Sequence, residues 1–236
     1  MNSSARHPTS LFEIFRSCWR NRGLIWKMTR REVVGRYQGS YLGLGWSFFN
    51  PLLLLVVYTL IFSEVLKVKW GGGMDESKIS FAIILFVGLI IHGLFSECAV
   101  RAPSLILSNA NYVKRVVFPL EILPWVAMGS AVFHAMISLV VLLIVKLATG
   151  NGLSWLALCT PLIILPLIIG TMGFLWALAA LGVYVRDIQH FVSLLTSVLL
   201  FLSPIFYAVS AVPQSFQKWM ILNPLTFIIE QMRATL

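Results

Sequence analysis

Residues 151–185 contain not one charged side chain. A run of that length restricts the fold severely, because about 20 residues of helix already cross a hydrocarbon core about 30 Å thick. Four more apolar blocks, 43–66, 79–98, 122–145 and 191–207, flank it. The chain is 58% hydrophobic and 11% charged, where soluble domains carry about 25% charged residues. The predicted class is an all-α membrane protein, with a transmembrane domain over 43–207 and five spans: 43–66, 79–98, 122–145, 155–185 and 191–207. The fourth is too long for one straight helix, and Pro161, Pro166, Gly170 and Gly173 predict kinks, tilt or a short external cap. Pro51 lies near the start of the first span, where a helix start or kink is tolerated.

Charge sets the orientation. The formal net charge is +9, and Arg6, Arg16, Arg20, Arg22, Lys27, Arg30, Arg31 and Arg36 all precede the first span. Placing 1–42, 99–121 and 186–190 inside collects eight, three and one Lys or Arg there, against six in the other segments. Cytoplasmic loops carry such an excess. The N-terminus is therefore expected in the cytoplasm, with 67–78, 146–154 and 208–236 outside. Anionic membrane lipids suit the basic arm. With no basic stripe elsewhere, nucleic acid is not an expected partner.

Residues 1–42 read as a cytoplasmic basic arm with an interface helix. Leu11, Phe15 and Trp19 recur every four residues, and Phe12 precedes Phe15 by three. This pattern predicts an amphipathic helix lying on the membrane, capped near Thr9 or Ser10. No cleavable signal peptide is recognisable in the first 40 residues. Cys18, Cys98 and Cys159 have neither metal-ligand nor disulfide-framework spacing and read as small apolar fillers.

The last segment, 208–236, is too interrupted to span. Asn223-Pro224 separates two short apolar pieces, and the proline disfavours helix at Asn223 while removing a backbone donor. Two short helices over 212–235, dipping back into the membrane from outside, are expected; an external surface hairpin is the alternative. Trp219, Met220, Leu222, Leu225, Phe227, Ile228 and Ile229 call for burial. Gln214, Gln217, Lys218, Glu230 and Arg233 are expected near external water. Five spans leave Leu236 outside with no onward helix, so truncation is the expectation.

Several phrases occur together in order. Arg30-Arg31-Glu32, Arg36-Tyr37, Gly39-Ser40, Leu42-Gly43, Trp46 and Asn50-Pro51 come first, then the continuous stretch from Asn109 to Glu121. Tyr184-Val185-Arg186-Asp187-Ile188, Leu202-Ser203-Pro204-Ile205-Phe206-Tyr207 and Asn223-Pro224-Leu225 follow. From about residue 12 onward the chain resembles the type-2 ABC exporter permeases that move lipid-linked polysaccharides and polyol phosphates (O antigen, capsule, teichoic acid). The resemblance implies a homodimer of six-span subunits in the bacterial inner membrane, served by a separate ABC ATPase. It also implies two periplasmic gate helices matching 212–235, then a sixth span and a cytoplasmic tail that this sequence lacks. Which glycan is carried stays open.

Independently, the chain has no Gly-x-x-x-x-Gly-Lys-Ser/Thr motif to cradle a nucleotide phosphate. A transport subunit, not an enzyme, is expected, with no cofactor or metal of its own; ATP and Mg²⁺ would sit on the partner ATPase. The loop 101–121 presents Asn109, Asn111, Lys114 and Arg115 as ATPase-coupling candidates, or else merely sets topology. Arg186 and Asp187 are a second contact or an internal ion pair. Arg30, Arg31, Arg36 and Tyr37 stand where a lipid pyrophosphate would arrive from the inner leaflet, and guanidinium forks match phosphate oxygens. Trp46, Phe49, Tyr58, Phe62, Phe201, Phe206 and Tyr207 are candidates for a glycan path, or are helix packing.

His92 and His134 lie within spans, but Glu64 and Glu97 fall at span ends where water is expected, so no proton relay is anticipated. Two other functions compete. A membrane-embedded transferase on polyprenyl phosphates needs grouped acids for Mg²⁺ or proton transfer, whereas Glu32, Glu121 and Asp187 look isolated. A type-2 ABC drug or peptide exporter shares the fold class but usually lacks the Gly39-Ser40-Tyr41-Leu42-Gly43 turn.

Overall fold

The computed structural model describes residues 11–61, 78–110, 118–149 and 155–236. The predicted caps Thr9 and Ser10, the site candidates Phe62, Asn111, Lys114 and Arg115, and most of 67–78 and 146–154 lie outside the described residues. Regular structure is helical throughout these residues. The helices are α1 (Leu11–Arg20), α2 (Arg22–Tyr37), α3 (Trp46–Thr59), α4 (Lys78–Arg101), α5 (Leu105–Ser108), α6 (Leu123–Ala148), α7 (Thr160–Tyr184), α8 (Ile188–Leu202), α9 (Gln214–Leu222) and α10 (Pro224–Thr235). Three helical stretches, Phe81–Ser108, Leu120–Ala148 and Trp155–Tyr184, are long and apolar enough to cross a membrane. The apolar helices Gly43–Thr59 and Ile188–Leu202 are shorter.

Helix α4 is the axis of the bundle. It is apolar on nearly every side, as a fully surrounded helix must be, and it packs against α3, α6, α7, α8 and α10. Leu85, Ile91 and Leu94 are buried along it. Hydrocarbon supplies no hydrophobic drive between helices, so close fit and internal polar contacts must hold them. Two glycines permit the closest approaches. A Cβ on Gly129 of α6 would stand 2.9 Å from Thr29 Oγ1 of α2, and one on Gly182 of α7 would collide with the Pro103 carbonyl oxygen.

The basic arm carries a second helix besides the one predicted over its first part. Residues 22–37 form a helix laid along α6, with Met28, Thr29 and Val33 buried. Ile25, Met28, Thr29, Glu32, Val33 and Arg36 recur at helical spacing, a signal hidden by the arginines between them. Upstream, the Arg22 guanidinium sits 4.9 Å over the exposed Trp19 ring. Ser17 donates to Glu121 at 2.9 Å, tying α1 to the foot of the 120–148 stretch. The turn from α2 into α3 uses Gly39 at φ 85° and Gly43 at φ 52°, a left-handed region open to glycine without a Cβ clash.

The loop 101–121 begins directly at the end of α4. Its first part is a 3-10 turn (Ala102–Ser104) leading into α5, with Ala102, Pro103 and Leu105 buried; the turn and α5 pack on α7. The chain before α7 is a 3-10 segment (Trp155–Cys159), and Pro166 lies inside α7 itself. Helix α8 ends at Leu202, short of the predicted 207, where Ser203-Pro204 breaks it.

Helices α9 and α10 meet at Asn223. Its carbonyl oxygen Oδ1 accepts from Leu225 N at 3.0 Å, and its Nδ2 donates to Ser203 Oγ at 2.9 Å. Met220, Leu225, Ile228 and Ile229 are buried, but Trp219, Leu222 and Phe227 are exposed. Arg233 is a further correction: its side chain is buried rather than facing water. Nε donates to the Ile84 carbonyl and Nη2 to the Ile205 carbonyl, each at 3.1 Å, while Nη1 reaches Glu230 at 3.2 Å. Ile205 lies in the turn beyond α8, so its carbonyl has no intrahelical donor, and the Arg233 guanidinium supplies one.

Candidate functional site

A cleft of about 410 Å³ opens between α2, α3, α4 and α6. Helix α2 contributes Arg36 and Tyr37 from its last turn. Helix α3 contributes Ser47, Asn50, Leu54 and Tyr58, spaced by three or four so that they share one face. Helix α4 lines the cleft with His92, Gly93 and Glu97, and α6 with His134 and Ser138, four residues apart.

The charged groups form one connected set. Arg36 Nη2 donates to Glu97 Oε1 at 2.6 Å, and His134 Nδ1 lies 3.0 Å from Glu97 Oε2. Arg101, one turn on from Glu97, approaches it at 3.7 Å and binds Glu32 Oε1 at 2.5 Å. Two guanidinium groups thus face two carboxylates, and charges partly withdrawn from water gain from such mutual compensation. Tyr37 stacks edge-on against the His134 ring, centroids 6.1 Å apart. Burial pushes the Tyr37 phenol above its ordinary value, so at neutral pH it is an O–H donor.

Glu97 therefore is not the water-exposed span-end acid expected from sequence. Its side chain is 18% exposed, because α2, packed on α6, brings Arg36 across it. His92 is buried, with Nε2 3.0 Å from the Thr196 carbonyl, and serves as a tie between α4 and α8.

The other site candidates divide. Arg30 and Arg31 are exposed on α2 and do not line the cleft. Tyr58 does, and begins an aromatic run: its ring lies 6.3 Å from Phe206, which lies 5.8 Å from Phe201. Tyr207 donates to the Phe201 carbonyl at 2.8 Å and lines a separate groove of about 270 Å³ with Pro213, Phe216 and Trp219. Trp46 and Phe49 are exposed and lie off the cleft face of α3. Asn109 folds back onto α5, donating to the Leu105 carbonyl at 2.9 Å. Arg186 and Asp187 are exposed in the turn between α7 and α8. Glu32, Asn50, Glu97, Arg101 and Ser138 were missed as site residues. An acid and a base four apart in an apolar helix, as Glu97 and Arg101 are, was the available signal.

These features define an all-helical membrane protein with a charged cleft inside its bundle. The ABC-2 type transporter family matches residues 23–236, and the chain belongs to that family. Among known proteins it is similar to the O-antigen export system permease protein RfbA of Myxococcus xanthus, 28% identical over 226 residues, 95% of this chain and 84% of the relative. It is 29% identical over 208 residues to the protein of that name from Klebsiella pneumoniae, covering 87% of this chain and 77% of the relative. The polysialic acid transport protein KpsM of Escherichia coli is 25% identical over 211 residues, 86% of this chain and 77% of the relative.

Proposed function

We propose that this chain is the membrane permease subunit of an ATP-driven ABC exporter that moves lipid-linked polysaccharide across the bacterial inner membrane. It works as a homodimer with a separate ATPase chain that binds ATP and Mg²⁺. The observation that carries this reading is the cleft, which joins a phosphate-matching guanidinium at Arg36 to the aromatic run from Tyr58 through Phe206 to Phe201. The names of the relatives, O-antigen export permeases and a polysialic acid transporter, favour a glycan over a drug or peptide. Glu32 and Glu97 are each engaged by a guanidinium, which speaks against the Mg²⁺ site that a transferase needs.

In this account the five apolar helices cross the bilayer with the N-terminus cytoplasmic. A polyprenyl pyrophosphate enters from the inner leaflet, with Arg30 and Arg31 drawing the anion and Arg36 and Tyr37 holding it. Sugar rings pass Tyr58, Phe206 and Phe201, whose faces accept C–H surfaces without demanding one sequence of sugars. Trp46, Phe49, Phe62 and Tyr207 extend that path in the dimer. Helices α9 and α10 lid the outer end. Asn109, Asn111, Lys114, Arg115, Arg186 and Asp187 meet the ATPase.

Coupling is testable by charge reversal. Lys114→Glu with Arg115→Glu is expected to abolish export by the assembled transporter while leaving membrane insertion and dimerisation intact. Export that persists, with the ATPase still co-purifying, would reduce this loop to a topology signal.

A further inference from the structure

Within the charged set, Arg36 is the replaceable member. Its side chain is 39% exposed, against 18% for Glu97 and 16% for His134, and it stands at the cleft wall. Glu97 has other company: His134 Nδ1 at 3.0 Å and Arg101 Nη1 at 3.7 Å. Withdrawing Arg36 would leave the carboxylate still held by a ring N–H and a second cation. The reverse does not hold. His134 Nδ1 is also 3.3 Å from Arg36 Nη1, but a nitrogen donating its proton to Glu97 cannot accept one from a guanidinium. Arg36 is thus bound to this cluster through the carboxylate of Glu97, by a single charge-assisted bond from Nη2 to Oε1 of the kind a phosphate oxygen also accepts.

We propose that Glu97 is an internal stand-in anion: it neutralises the Arg36 guanidinium through Nη2 and is displaced by the pyrophosphate of the lipid substrate. This rests on the reading that Arg36 takes that pyrophosphate. Displacement follows a simple sequence. The incoming phosphate accepts the Arg36 N–H groups, Glu97 stays with His134 and Arg101, and no charge is stranded in the bundle. Glu97 therefore competes with substrate. It keeps Arg36 neutralised between cycles, and it sets a threshold that a neutral or singly charged lipid headgroup fails to cross. Glu97 is a positioning residue here, since it acts through Arg36 and does not touch the substrate.

The test measures binding of geranylgeranyl pyrophosphate to the full chain in phosphatidylcholine nanodiscs, with geranylgeraniol as the uncharged control. Removing a competing internal anion raises the fraction of competent Arg36, so Glu97→Gln is expected to tighten binding roughly three- to tenfold. The gain should vanish in an Arg36→Gln background, which by itself should weaken binding roughly tenfold or more. Glu97→Asp retains the charge but retracts it from Arg36 by about one methylene, and should tighten binding in the same direction; it decides the matter if Glu97→Gln does not fold. Unchanged affinity in Arg36→Gln would sink the phosphate reading itself. Weakening by Arg36→Gln together with unchanged or weaker binding in the Glu97 variants would overturn only the stand-in, making Glu97 a support for Arg36. Inorganic pyrophosphate titrated in parallel should compete poorly; competition equal to the lipid would assign the site to a free anion.

Discussion

Gly182→Ala is expected to destabilise the protein by about 3 kcal/mol or more, at the upper end of overpacking effects. A single methyl there would collide with the Pro103 carbonyl oxygen and stand 2.5 Å from its Cα. Both are backbone atoms, so no side chain can rotate away. The 3-10 turn Ala102–Ser104 would have to lift from α7, taking with it the buried Ala102 and Leu105. Gly173, on the same helix, provides the comparison, because a Cβ there meets nothing within 4 Å. Gly173→Ala should be neutral or slightly stabilising, since alanine favours helix over glycine by about 1 kcal/mol. Thermal unfolding followed by size-exclusion chromatography checks both. Equal melting behaviour of the two variants would contradict the close packing at Gly182.

The second large effect is expected at Arg233. Arg233→Met keeps the bulk of the stem but removes donors to the Ile84 and Ile205 carbonyls, and hydrogen bonds to charged groups contribute about 1.5–3 kcal/mol each. We expect α10 to detach from α4 and from the turn after α8, at a cost of about 3 kcal/mol. Arg233→Lys should recover only part of this, because one ammonium cannot reproduce a planar fork aimed at two carbonyls. Limited proteolysis reports the outcome. Cleavage within 223–236 should accelerate in Arg233→Met while the α4–α6 core stays resistant. Unchanged cleavage would show that α10 is held by its apolar face alone.

What was legible in the sequence followed from strong local signals. The long uncharged runs marked the helices around α4, α6 and α7, and Asn223-Pro224 marked the boundary between α9 and α10 because proline cannot continue a helix from Asn223. Membership of the ABC-2 type transporter family was legible in the ordered phrases. What was not legible depended on contacts between distant segments. The buried face of α2 is interspersed with arginines, so its helical stripe read as a basic arm. Glu97 looked solvated because nothing local shows that Arg36, 61 residues earlier, lies across it. Arg233 looked external because the carbonyls that bury it belong to α4 and to the turn after α8.

The proposed ATP-driven movement of a lipid-linked glycan is measured in inverted proteoliposomes containing the permease, its partner ATPase and a polyprenyl-pyrophosphate-linked glycan with a labelled sugar. ATP should make the glycan progressively inaccessible to added glycosidase as it moves into the lumen. The movement should stop with a non-hydrolysable nucleotide and fall sharply with Arg36→Gln. ATP-driven accumulation of a small amphipathic drug, with the glycan remaining fully accessible, would contradict the account.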